Sequence, residues 1–167
     1  MTVLTRVILT VLMLVFVGVS GPVVAQGTQV AFGNVQQDSN LPVEVTADQL
    51  SVDQANGTAI FTGNVLIGQG EMRLSAPWVR VIYLEDQSGI EQLEAKDGVT
   101  LVSGEDAAES QHARYNVQTG MITMDGNVLL VQGTSALTAD RMLVDTQAGT
   151  ARMDGRVKTV LQPESGE

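Results

Sequence analysis

Past residue 40 the apolar residues recur every second position, and almost nothing has helical spacing. The pairs are Val43/Val45, Leu50/Val52, Met72/Leu74, Val79/Val81, Val99/Leu101, Tyr115/Val117, Ile122/Met124, Val128/Leu130 and Met142/Val144. A period of two over short runs marks strands with one face buried. Turn signals separate them, among them Asn56-Gly57, Ser88-Gly89, Thr119-Gly120, Gln132-Gly133 and Ala148-Gly149. Such punctuation at intervals of roughly 8–12 residues predicts an all-β roll, barrel or sandwich. The acidic stretch Glu105 to Ser110 lacks large apolar residues and reads as the longest loop. Pro77 lies inside a strand-like run, which restricts it to an edge, a strand start or a bulge.

The strands belong to a phrase repeated with drift. Ala47-Asp48-Gln49-Leu50-Ser51-Val52-Asp53 leads to Phe61-Thr62-Gly63-Asn64-Val65. Ala113 to Val117 leads to Met124-Asp125-Gly126-Asn127-Val128, and Ala139 to Asp145 leads to Met153-Asp154-Gly155-Arg156-Val157. A weaker copy runs from Ala76-Pro77-Trp78-Val79-Arg80-Val81 to Lys96-Asp97-Gly98-Val99. The corner glycines Gly63, Gly98, Gly126 and Gly155 are 35, 28 and 29 residues apart. That period implies units that share one apolar face because none buries its own alone. Aligning the copies puts Leu50/Val52, Val79/Val81, Tyr115/Val117 and Met142/Val144 in one slot. By the same parity Phe61, Met124, Val128 and Leu130 join that face, which is either an ordinary core or a groove for hydrocarbon.

The ends and the composition set the context. Arg6, the apolar run Val7 to Val19 and the small residues Val23-Val24-Ala25 have the layout of a secretory signal peptide over residues 1–25. The rival reading retains residues 7–25 as a membrane anchor, close to the length a span needs. Residues 26–40 read as a flexible lead-in, 41–162 as one folded domain and 163–167 as a tail. The chain has no cysteine, which excludes disulfides and thiolate metal sites. The formal charge is -10, and removing Arg6 with the leader would make it -11. Acidity of this size argues against nucleic-acid partners.

No catalytic constellation survives inspection. His112 is the single histidine, and Ser110 beside it lacks the Gly-x-Ser-x-Gly elbow of a hydrolase. Acid pairs such as Glu91/Glu94 or Asp48/Asp53 lack the aromatic platforms of a sugar cleft. Asp53 to Gly57 lacks the acid or amide at the third position of a calcium loop and its closing Glu. Neither a cofactor nor a metal is expected.

Leu41-Pro42-Val43-Glu44-Val45-Thr46-Ala47-Asp48, followed by Ile60 to Val65 and Gly68-Gln69-Gly70, resembles the OstA-like domain family of lipopolysaccharide transport proteins. Tyr115-Asn116-Val117, Asp125 to Val128 and the closing Arg156 to Leu161 extend the resemblance over roughly residues 41–161. The resemblance implies a twisted, open β-jellyroll of antiparallel strands with a hydrophobic interior groove, and a periplasmic, non-enzymatic carrier for the acyl chains of lipopolysaccharide. By position it implies groove contacts at Val43, Val45, Leu101, Tyr115 and Val117. It also implies strand-edge pairing with an inner-membrane bitopic partner and an outer-membrane translocon, and end-to-end self-association. Val43, Val45, Val157, Thr159 and Leu161 are the candidate joining positions. The alternatives are the bitopic partner itself, of the same fold, and a ligand-free β-solenoid scaffold.

Overall fold

The computed structural model describes residues 28–33 and 41–160. The leader at 1–25, the stretch 34–40 and the positions from Leu161 onward lie outside the described residues. Eleven strands and no helix occur among the described residues: β1 Thr28–Ala31, β2 Glu44–Thr46, β3 Gln49–Asp53, β4 Thr58–Gln69, β5 Met72–Tyr83, β6 Ile90–Ser103, β7 Asp106–Asn116, β8 Met121–Gln132, β9 Ser135–Asp145, β10 Thr150–Asp154 and β11 Lys158–Val160. All form one antiparallel sheet in the order β1-β10-β9-β8-β7-β6-β5-β4-β2, with β3 on β4 and β11 on β9.

The supposed loop at Glu105 to Ser110 is mostly strand, since β7 starts at Asp106. Its inward positions carry Ala108 and Ser110, both buried. Small residues at core positions hid the alternation. Within the expected lead-in, Thr28–Ala31 also forms a strand.

A crease runs across the sheet. The ladder register slips at Thr62/Val65, Ser75/Trp78, Lys96/Val99, Glu109/His112 and Asp125/Val128, on five consecutive strand pairs. At the two ends the strand itself breaks in line with these slips, between β2 and β3 and between β10 and β11. Gly63-Asn64, Asp97-Gly98, Gly126-Asn127 and Gly155-Arg156 take left-handed backbone at both positions. Such conformations and irregularities bend a strand sharply. Pro77 falls at the β5 slip, where no ladder bond is forfeited.

Three corner glycines each receive a polar side chain from the preceding strand or connection. A Cβ on Gly63 would lie 2.5 Å from Asp48 Oδ2, on Gly126 2.9 Å from Gln111 Oε1, and on Gly155 2.6 Å from Asp140 Oδ2. The backbone N–H groups of Asp48 and Asp140 donate to the carbonyls of Gly63 and Gly155, each at 2.9 Å. Asn64 Nδ2 adds a bond to Asp48 Oδ2 at 2.8 Å. The Arg156 guanidinium hydrogen-bonds Asp140 and holds its carboxyl below the usual range. Gly98 has no such neighbour, because Pro77 stands where the other copies carry Asp or Gln.

The crease corrects the repeat alignment by two residues in its third copy. Ala76-Pro77, Ser110-Gln111 and Ala139-Asp140 occupy the bend, so Ala113 and Tyr115 match Val79 and Val81, and Met142 and Val144. Val117 falls beyond the end of β7 and is only half-buried.

Folding at the crease turns the sheet into two walls. The first contains β3, the halves of β4 to β9 on that side, β10 and β1. The second contains β2, the other halves and β11. Their inner faces form one apolar cluster, with Val79, Leu101, Ile122, Met124, Leu130 and Met142 at 0% exposure. A single open sheet cannot hide one face from water, so the walls face each other. Tyr115 on the first wall donates its hydroxyl to Gln69 Oε1 on the second, at 2.5 Å. Gln69 Nε2 continues to the Leu41 carbonyl at 2.9 Å. Burial raises the Tyr115 pKa, against a smaller opposing effect of its hydrogen bonds.

Gly126→Ala is expected to lower the unfolding free energy by about 1–3 kcal/mol, the cost of a side chain in left-handed backbone. Gly68→Ala, with ordinary φ and a Cβ that would meet the Arg73 guanidinium only at van der Waals distance, 3.5 Å, should stay within about 0.5 kcal/mol of wild type; urea unfolding of both variants compares them. Tyr115→Phe removes the cross-wall bond and should cost about 1 kcal/mol near neutral pH. Because the folded-state pKa of Tyr115 is raised, the unfolded chain loses its proton first. Stability therefore falls as pH climbs above about 10. The Phe variant should lose part of that alkaline decline, read from urea midpoints between about pH 8 and 12. An unchanged slope would remove Tyr115 as its cause.

Candidate functional site

The inner faces of the two walls are organised as rows that cross the strands. Residues directly opposite in an antiparallel ladder point to the same face, so the register specifies each row. On the second wall Val45, Ile67, Leu74, Leu101, Ala108, Leu130, Leu137 and Thr159 pair in unbroken sequence from β2 to β11. On the first wall one row runs Val52, Ala59, Val81, Leu93, Tyr115, Ile122, Val144, Ala151 and Val30. A second runs Leu50, Phe61, Val79, Ala95, Ala113, Met124, Met142 and Met153. Strands lie about 4.8 Å apart, so rows of this kind extend roughly 35–40 Å along the molecule.

Every groove candidate from the sequence falls on or beside this lining. Val79, Val81, Leu101, Tyr115, Met124, Val128, Leu130, Met142 and Val144 are buried. Val43, Val45, Phe61 and Val117 are half-buried against the same cluster. Leu50 and Val52 share a face with Phe61 and Ala59 by register, yet they are 57% and 58% exposed. Among the described residues their strand is the outermost of its wall and has a neighbour on one side only. The interior is thus closed along its middle and uncovered at the β3 end.

The sequence reading missed the alanines. Ala59, Ala95, Ala108, Ala113 and Ala151 face inward in these rows, yet Ala is too common in polar segments to announce a core position. Ile67, Leu93, Leu137 and Met153 were also missed. The phase of burial explains part of this. Across the crease the inward residues are four apart on the even-numbered strands, as Met124 and Val128, but three apart on β5, β7 and β9, as Ser110 and Ala113. Gln69 is the least expected interior residue, and its side-chain bonds to Tyr115 and Leu41 account for its burial.

Among the described residues no buried side-chain nitrogen or oxygen lacks a partner, and no group of three or more His, Cys, Asp or Glu could hold a metal ion. Ser110 points inward and gives its hydroxyl to the His112 carbonyl at 2.9 Å, whereas His112 is exposed. The pair therefore does not present a nucleophile to a base. Outside, the row Trp78, Lys96, His112, Asp125 and Arg141 is polar, with Lys96 Nζ 3.9 Å from the Trp78 ring centroid. Asp125 bridges Arg141 and Arg114. Exposed pairs of this kind contribute little to stability. What the molecule offers chemically is a long hydrocarbon interior inside a polar shell.

The joining positions sit at both ends of the second wall. Val43 and Val45 flank or occupy β2, whose outer edge has no strand partner among the described residues. Thr159 is in β11 and Val157 immediately precedes it; all of β11 is exposed. Leu161 lies outside the described residues.

Known proteins share this architecture. The structure aligns with the crystal structure of LptH from Pseudomonas aeruginosa, described as the LptA-homologous periplasmic component of the conserved lipopolysaccharide transport device. The TM-score is 0.68 at 19% identity, over 76% of this chain and 99% of that one. An uncharacterized protein of Rhizobium meliloti (strain 1021) is 27% identical over 115 residues, which are 65% of this chain. The match takes in 62% of that relative's length, less than two thirds. Residues 44–153, most of the sheet, match the LptA/(LptD N-terminal domain) LPS transport protein family. With the fold, the row-lined interior and this match together, the chain belongs to the LptA/LptD N-terminal domain family of lipopolysaccharide transport proteins.

Proposed function

We propose that this chain is a periplasmic carrier that shields lipopolysaccharide acyl chains between its two walls and links inner-membrane to outer-membrane transport machinery. The observation that carries the reading is the continuity of the apolar rows across the strands, from β2 to β9 on the second wall and from β3 to β10 on the first, with Leu50 and Val52 uncovered at one end. Burying a methylene is worth about 0.8 kcal/mol, so an acyl chain would not readily leave such an interior for water. Rows of similar composition along the path offer similar energy at each point, which suits transfer driven from elsewhere. The middle is filled by its own side chains, so an entering acyl chain displaces contacts between the walls. The sugars remain outside, on the polar faces.

The edges of β2 and β11, without a strand partner among the described residues, supply backbone donors and acceptors for strand addition. Val43 and Val45 at one end and Val157, Thr159 and Leu161 at the other form the proposed joins to the bitopic partner, to the translocon and to further copies. Residues 1–25 serve as the export signal, 26–40 as the lead-in and 41–162 as the carrier domain.

Photo-crosslinking residues at Val45, Leu101 and Val117 should capture lipopolysaccharide in transporting cells, with little capture at Asp86. Equal yields at interior and surface sites would sink the carrier reading in favour of a ligand-free scaffold. Sequencing the exported protein should give a start near Gln26. An intact Met1 would instead support the anchored bitopic partner.

A further inference from the structure

The outer face of the first wall gathers positive charge in a chain of formal charge -10. Of the eight Lys and Arg residues beyond the leader, five stand on it in two adjacent rows: Arg80, Lys96, Arg114, Arg141 and Arg152. Three of them are held by carboxylates. Arg80 hydrogen-bonds Glu94 at 2.9 Å, Arg141 hydrogen-bonds Asp125 at 2.5 Å and Arg152 hydrogen-bonds Asp154 at 3.2 Å. Among the described residues Lys96 and Arg114 have no such bond. The Lys96 ammonium rests over the Trp78 ring, 3.9 Å from its centroid, and the Arg114 guanidinium approaches Asp125 at 3.7 Å, beyond hydrogen-bond distance. His112 lies between them, exposed, opposite Lys96 in the ladder and two residues before Arg114. These four side chains, with Arg80 and Asp125, line one shallow hollow.

Exposed ion pairs add little stability, so folding does not account for this gathering of charge. A cation seated on an indole face keeps its position while its charge stays accessible. Lys96 and Arg114 side by side, with Glu94 and Asp125 beside them, suit a ligand that carries both negative charge and hydroxyl groups. The anion meets Lys96 and Arg114, and hydroxyls donate to the carboxylates and accept from their arginines. An anionic membrane suits the face less well, because Glu94, Asp125 and Asp154 interrupt the cations with its own sign of charge. The place of the hollow indicates the source of the ligand. Gln49, Thr62 and Trp78 are successive in one outer row, so the hollow begins two strands in from β3. That is roughly 10 Å from the edge where Leu50 and Val52 leave the interior uncovered, and the polar Gln49 and Thr62 lie along the way. We propose that the hollow around Trp78, Lys96, His112 and Arg114 binds the acidic sugars of the lipid whose acyl chains occupy the interior. The proposal rests on the carrier reading for the source of its ligand, not for its chemistry.

Trp78 is the single tryptophan of the chain, so its fluorescence reports on the hollow directly. The exported protein, titrated with the acidic oligosaccharide freed from lipopolysaccharide by mild acid, should show a saturable change in that fluorescence. Lys96→Gln and Arg114→Gln should each weaken binding at least fivefold by calorimetry, with urea midpoints unchanged. Lys158→Gln, on the exposed β11, should stay within twofold of wild type. Absence of saturable binding, equal binding by wild type and both variants, or inorganic phosphate or a neutral glucan bound as tightly as the oligosaccharide overturns the site. Tighter binding of carboxylated cell-wall glycan fragments or of anionic vesicles overturns its assignment to the carried lipid. Lipid capture at Leu101 is scored in the same variants. Capture without oligosaccharide binding sinks the hollow alone, whereas oligosaccharide binding without capture sinks the carrier reading and leaves a saccharide site standing.

Discussion

One constraint governs this molecule: a single sheet with one apolar face has no second layer to cover it. There is no helix among the described residues to lie on that face. The sheet must cover itself, which requires every strand to bend at the same level. Aligned register slips do this, and the left-handed corner dipeptides make them sterically possible. The interior, the rows across it and the unpaired edges all follow. Were the bends staggered, the walls could not meet and the apolar face would remain wet.

The period-two alternation and the corner glycines made the all-β class legible, and the glycines marked the crease itself. What they meant was not legible. A repeated corner suggests stacked units equally well as one sheet folded on itself, and only the pairing distinguishes them. The error in the third copy has the same origin. Ser110-Gln111 stands where the other copies carry Ala followed by Asp or Pro, so the match was drawn on the next such alanine, Ala113, and the apolar slot fell two residues late. The same slip put Val117 rather than Ala113 into the repeat slot beside Tyr115.

Burial differs from facing, and Leu50 and Val52 illustrate the difference. Parity assigned their face, and the ladder with β4 agrees. Their exposure depends on how many neighbours the strand has, which no local pattern encodes. β1 was invisible for a related reason: its two inward positions are Thr28 and Val30, and a single apolar residue carries too little periodicity to stand out. Its strand character comes from the β10 edge it covers and from Phe32 beyond it.

The crease also has a mechanical consequence. Ladder hydrogen bonds run along each wall and around the bend, and no ladder bond joins wall to wall. The walls can therefore swing apart like the covers of a book, with the spine intact and every strand still paired. What resists the swing is apolar contact, the Tyr115–Gln69 bond and the bond from the Gly33 N–H to Asp106 Oδ2. In the proposed carrier role, hydrocarbon entering from one side would replace the first of these in kind, and no ladder bond would have to break.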